Sequence, residues 1–333
     1  MKRHLQRPIA KPKKFTPPNL ADVDPLPVDS RDTPPNQRIV AIFTGLTVEV
    51  CDPDGIQKLA LGGCFGQGTL SRSFPASVRD RGVQRSEEPV VRQRQLDRRE
   101  EWRRKYGQSL GGSNSVNVRV MEEDLEKQLE DGVINQRQLK YALVKREVDP
   151  FPIPENLSLF LEESMFLVRE LKCLEVRTLE GVAMQEKLLL DTFSKLKSTF
   201  LPSYVAYVYL KSKNWVIKSG LKFGGDFLLY QKGPQFFHAS YVVLIQPYQN
   251  SVQLPGGTHY MENFDFQCFN RITETTAKDL LVLEVHYPAD FDPGDCVAGV
   301  DRLNEFKVSE VFPKHHNYAA YRNSHQQSTS SSK

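Results

Sequence analysis

Three side chains of unlike acidity could do chemistry together: Tyr230, His238 and, further along the chain, Lys278. An imidazole has a reference pKa near ~6.5 and can give up a proton at neutral pH. A phenol, with a reference pKa near ~10, serves as a base only if that value is lowered or its proton is shared. A lysine ammonium favours such a lowering and also suits a developing anion. The set has the parts for general acid–base chemistry with a cation in attendance. Residue type alone leaves a structural role open for each of the three.

The elements around them bring them together. WVIKS, DFLLYQ and FFHASYVVLIQ read as three β-runs, and Lys232-Gly233-Pro234 breaks the last two, which predicts a hairpin. Tyr230 closes one run and His238 begins the next, so both side chains emerge at one end of the sheet. FDFQCFNRITETTAKD reads as a helix and DLLVLEVHY as a strand, and Lys278 lies at their junction, at the same edge. EFKVSEVF is a final strand. Upstream, apolar spacing predicts helices over 157–176, 184–196 and 200–214. Helices followed by a mixed sheet with one crossing helix give an α/β (α+β) layout.

Composition divides the rest of the chain. Of 333 residues, 39% are hydrophobic and 21 are Pro, so part of the sequence lies outside any core. Residues 1–35 are basic and Pro-rich and read as a disordered tail, and 36–78 as a small α+β domain. Residues 79–154 are charge-mixed and read as a charged helix or linker, partly disordered. The segment 155–200 reads as a helical subdomain, 201–314 as the α/β domain that carries the three residues, and 315–333 as a polar tail. The MKRHLQRPIAKPKKF start has no apolar stretch behind it and does not read as a secretory signal. No apolar run approaches the ~18 residues that span a bilayer. Five scattered cysteines fit a reduced, intracellular protein better than a disulfide framework.

Other chemistries find little support. Gly66-Gln67-Gly68 lacks the third glycine and the Lys-Ser/Thr of a phosphate loop. HExxH and CxxC are absent from the sequence. His315-His316 has no carboxylate or Cys beside it that would make a metal site. Metal-dependent nucleases need clustered carboxylates, and Asp226 stands alone before Tyr230-Gln231-Lys232. The net charge of +3 hides a gradient: residues 155–333 hold 18 Lys/Arg against 20 Asp/Glu. Nucleic-acid contact there has to be local or shared with a partner. A local patch exists at 201–248, where five lysines and one acid interleave with aromatic residues.

LKSKNWVIKSGLKFGGDFLLYQKGPQFFHASYVV at 210–243 closely resembles the catalytic domain of tRNA-splicing endonucleases. The matching pieces are Lys213-x-Trp215, Gly220-Leu221-Lys222-Phe223-Gly224, Asp226 through Tyr230, and Lys232-Gly233-Pro234 leading to His238-Ala239-Ser240-Tyr241. The family's third catalytic position matches Lys278 in Arg271-x6-Lys278-x-Leu280. The stretch from Gly63 to Ser73 resembles the subunit that cuts the 5′ splice site. The resemblance covers roughly 38–75 and 155–312.

This resemblance implies a restriction-endonuclease-like mixed-sheet domain and cleavage of precursor tRNA without a metal or other cofactor. In that reaction the RNA's own 2′-OH attacks the phosphorus, leaving a 2′,3′-cyclic phosphate and a 5′-OH. It implies Tyr230 as base, His238 as acid and Lys278 facing the phosphorane. Arg271 matches the arginine that sandwiches a flipped base with an aromatic residue, usually Trp; counting along the sequence puts His316 at that position. The implied assembly is a heterotetramer with the 3′-site catalytic subunit and two structural subunits. The implied location is the nucleus, with a mitochondrial-surface location also open. A non-catalytic RNA-binding scaffold and a metal-dependent restriction-type nuclease remain alternatives at this stage.

Overall fold

A computed structural model describes residues 37–69, 75, 90–106, 116–121, 123–133, 145–149, 155–234, 236–254 and 263–313. The chain divides into two compact units, with the boundary between Met184 and Gln185. The expected tails at 1–35 and 315–333 lie outside the described residues.

The first unit holds two sheets. Strands β1 (Ile39–Phe43) and β2 (Val48–Val50) form a hairpin whose turn closes through Thr44 and Thr47. Asp52 then caps α1 (Pro53–Gly63) by accepting the Gly55 N–H at 2.7 Å, with Pro53 in the first turn. Strand β3 (Gln67–Gly68) follows, so the Gly66-Gln67-Gly68 stretch serves as a sheet edge. A second sheet contains β4 (Val90–Arg92), β5 (Val116–Met121) and β6 (Lys145–Asp149), in that order. Helices α2 (Gln93–Tyr106) and α3 (Glu123–Glu130) lie between these strands in sequence. Within 79–154, expected as a charged helix or linker, the described residues thus include three strands and two helices.

The single helix expected over 157–176 is replaced by strand, helix and strand: β7 (Leu157–Leu159), α4 (Leu161–Arg169) and β8 (Leu174–Arg177). Both strands alternate buried and half-buried residues, a period of two that the apolar helix spacing blurred. Lys172 adopts φ 52°, which breaks the helical path. The sheet order is β3-β7-β2-β1-β8, so this segment completes the first sheet rather than forming a purely helical subdomain. Glu163 on α4 is fully buried, and its carboxylate accepts the N–H groups of Gly66 and Phe160.

The second unit opens with α5 (Glu186–Leu196) and α6 (Phe200–Ser212). Helix α6 is rich in aromatic and β-branched residues, whose helix propensities lag Ala by only about 0.7 kcal/mol or less each. Phe200, Leu201, Tyr204, Val205, Tyr207 and Leu210 are all buried, and each fully buried side chain of this kind contributes roughly 1.5–3 kcal/mol. Burial outweighs propensity, and the helix forms. Next come β9 (Val216–Ser219), β10 (Phe227–Tyr230), β11 (Tyr241–Gln249), β12 (Val252–Gln253), α7 (Asn263–Thr275), β13 (Asp279–Tyr287), α8 (Cys296–Asp301) and β14 (Lys307–Val311). The sheet order is β14-β13-β11-β10-β9, with β12 paired to β11. The β11/β13 pair is parallel and the others are antiparallel, giving the mixed α+β architecture expected. Tyr207 of α6 meets Phe227 edge-on at 5.9 Å, and Trp215 meets Tyr241 at 5.8 Å. Among the described residues no helix is long and apolar enough to cross a membrane.

Candidate functional site

The site begins with a glycine turn. Residues 220–226 turn the chain from β9 back into β10, and Gly220 donates to the Asp226 carbonyl at 3.0 Å. A Cβ at Gly220 would lie 2.6 Å from the Gly225 oxygen. Gly224 sits at φ +75°, where a Cβ would also press the Phe269 ring at 2.9 Å. A Cβ at Gly225 would collide with Val242 Cγ1. Asp226 locks the turn to the sheet, because its carboxylate accepts the Ile245 N–H at 2.8 Å. That carboxylate therefore has a structural task. Among the described residues no three His, Cys, Asp or Glu side chains are grouped to hold a metal.

Sheet register then brings the three candidates to one end. Leu229 pairs with Tyr241 across the antiparallel β10/β11 ladder, so Tyr230 leaves β10 where β11 begins. Tyr241 pairs with Asp279 across the parallel β11/β13 ladder, so Lys278 enters β13 at the same end. Asp279 N–H donates to the Ser240 carbonyl at 3.0 Å and Ser240 N–H to the Leu229 carbonyl at 2.8 Å, tying the three segments together. His238 lies on the exposed loop between β10 and β11. It does not begin the strand as expected, since β11 starts at Tyr241 and Ala239 turns into the core.

One apolar cluster underlies this end. Leu228, Ala239, Val242, Leu244, Phe269, Leu280 and Val282 form it, and Phe223 and Tyr230 pack against it, half-buried. Burial raises the Tyr230 pKa above that of an ordinary phenol. Burial lowers the Lys278 pKa. The Lys278 ammonium donates to the Thr276 carbonyl at 3.0 Å and lies 4.2 Å from the centre of the Phe223 ring.

The other candidates fall outside this arrangement. Arg271 is exposed on α7, two residues past the buried Phe269, and takes no part in the apolar cluster. His316 lies outside the described residues. Lys213 of the basic patch is committed elsewhere: its ammonium pairs with Glu310 on β14 at 2.7 Å, beside the Tyr209 ring. Phe223 was legible as part of the Gly220–Gly224 motif, but not its contact with Lys278, which joins segments far apart in sequence.

Comparison with known proteins bears on the same unit. Residues 200–258 match the family described as "tRNA intron endonuclease, catalytic C-terminal domain", a span that includes Tyr230 and His238 but stops short of Lys278. A chicken tRNA-splicing endonuclease subunit Sen2 is 39% identical over 176 residues, 52% of this chain and 36% of that protein. The rat protein of the same name is 30% identical over 261 residues, 74% of this chain and 54% of that protein. The subunit SEN2 of Saccharomyces cerevisiae is 30% identical over 259 residues, 63% of this chain and 68% of that protein. The chain spans between about a third and a half of the length of the vertebrate relatives it matches.

Proposed function

We propose, from the premise that this chain belongs to the Sen2 family of tRNA-splicing endonuclease subunits, that it carries the active site that cuts precursor tRNA at the 5′ splice site. The observation that carries this reading is the meeting of the Tyr230, His238 and Lys278 segments at one end of the β10/β11/β13 sheet.

The chemistry needs one proton removed, one delivered and one extra negative charge accommodated. Tyr230 takes the proton of the 2′-OH next to the scissile bond. The 2′-oxygen attacks the phosphorus, and the bond to the 5′-oxygen breaks. His238, exposed at the site's edge, protonates the leaving oxygen. Lys278 faces the additional charge of the pentacoordinate phosphorane. The products are a 2′,3′-cyclic phosphate and a 5′-OH, and no step uses a metal. The near-neutral balance of residues 155–333 fits an enzyme whose RNA footprint is shared with other subunits, which we propose are the 3′-site nuclease and two structural subunits. Nuclear residence belongs to the same reading. Arg271 on the exposed face of α7 is available to reach a neighbouring subunit's substrate; we retain His316 as its proposed stacking partner.

A precursor tRNA with a single 2′-deoxy nucleotide 5′ of the cut tests the reaction. We expect that substrate to stay intact, and Tyr230→Phe to cleave the natural precursor on the order of 10²–10⁴-fold more slowly. Cleavage of the deoxy substrate, or a Tyr230→Phe enzyme near wild-type speed, overturns the assignment.

A further inference from the structure

We propose that Phe223 is a positioning residue for this reaction, its ring holding the Lys278 ammonium at the end of the sheet where Tyr230 and His238 meet; the proposal rests on the function given above. Of the described contacts between a cation and a ring, this is the shortest: 4.2 Å, against 4.5 Å for Lys213 over Tyr209, 5.6 Å for Lys211 over Tyr207 and 5.8 Å for Arg302 over Phe291. The ring is itself held in place. Phe223 ends a 3-10 turn (Leu221–Phe223) whose last N–H donates to the Gly220 carbonyl at 2.8 Å. It packs on the same apolar cluster as Tyr230, so one surface fixes both the phenol and the cation's seat.

The choice of partner matters for the charge. A carboxylate beside a lysine cancels its field, as Glu310 does for Lys213 at 2.7 Å. An aromatic face attracts an ammonium through its quadrupole and leaves the full positive charge in place. Lysine's flexible four-carbon stem would otherwise sample many positions. An ammonium has three N–H donors. One reaches the Thr276 carbonyl at 3.0 Å, and the ring occupies a second direction. The third can then meet a phosphate oxygen. Phe223 thus aims Lys278 without neutralising it.

The test is a double-mutant cycle in the full chain co-expressed with its partner subunits, on precursor tRNA. Phe223→Leu should lower kcat about 3- to 30-fold, the worth of one cation–π contact, with KM held within about twofold. Phe223→Tyr, which keeps the ring, should recover most of that loss. In a Lys278→Ala background, Phe223→Leu should cost less than about twofold, because the cation it serves is gone. An equal cost with and without Lys278, or no cost at all, overturns the proposal. A second measurement needs no RNA: the lysine ε-methylene NMR signals of the full chain. The Lys278 signal should be ring-current shifted in the wild type and in Phe223→Tyr, and should move to the ordinary lysine position in Phe223→Leu. An ordinary position in the wild type overturns the proposal regardless of activity, whereas absence of cleavage beside a shifted signal overturns the nuclease reading instead.

Discussion

Burial acts in opposite directions on Tyr230 and Lys278, raising the phenol and lowering the ammonium. In the proposed reaction the reactive form pairs a phenolate with an imidazolium. Because the phenol's pKa lies above the imidazole's, that form is a small and constant fraction between the two values. On the acid side the phenolate fraction falls with pH while the imidazole is already protonated, so the rate falls. Above the lowered Lys278 value, the ammonium is lost and the rate falls again. We therefore expect a plateau whose alkaline edge lies below the ~10.4 of an ordinary lysine. Lys278→Arg should move that edge upward, since guanidinium stays charged. An alkaline edge unmoved in the Lys278→Arg enzyme would assign it to another group. Tyr230, His238 and Lys278 were legible in the sequence because a motif carries them. The role of Phe223 was not, since an ammonium finds a ring only when the sheet has brought α7's end to the glycine turn.

At the scale of elements, the glycine turn sets the geometry of the site. Three glycines stand where a Cβ would strike backbone, a core valine or an aromatic ring, and Phe223 lies between the first and second. Gly225→Ala is expected to destabilise the full chain by about 1–3 kcal/mol through overpacking against Val242, with the mid-point of denaturant unfolding as the measure. An unchanged mid-point would show that the turn yields easily and does not fix Tyr230. The hairpin, the crossing helix and the β13 strand follow from apolar spacing and from the Lys232-Gly233-Pro234 break. The strand–helix–strand at 157–177 did not. Its short strands mix with helical spacing, and only pairing with β1 and β2 reveals the period of two.

At the scale of the molecule, the two compact units carry different information. The unit from Gln185 onward holds the glycine turn, the three candidates and the matched family span. The unit that ends at Met184 contains a three-stranded sheet within 90–149 that charge-rich composition concealed, because its strands are short and lie next to highly charged helices. Residues 155–333 are close to electrically neutral. In the proposed reading, cleavage at a defined splice site is thus expected from an assembly that shares the RNA contacts. The most direct measurement is cleavage of an intron-containing precursor tRNA in EDTA by this chain co-expressed with its partner subunits, wild type beside His238→Ala. We predict that the 5′ cut disappears with the substitution while the 3′ cut persists. Survival of both cuts would contradict the account and make this chain a scaffold for an active site carried elsewhere.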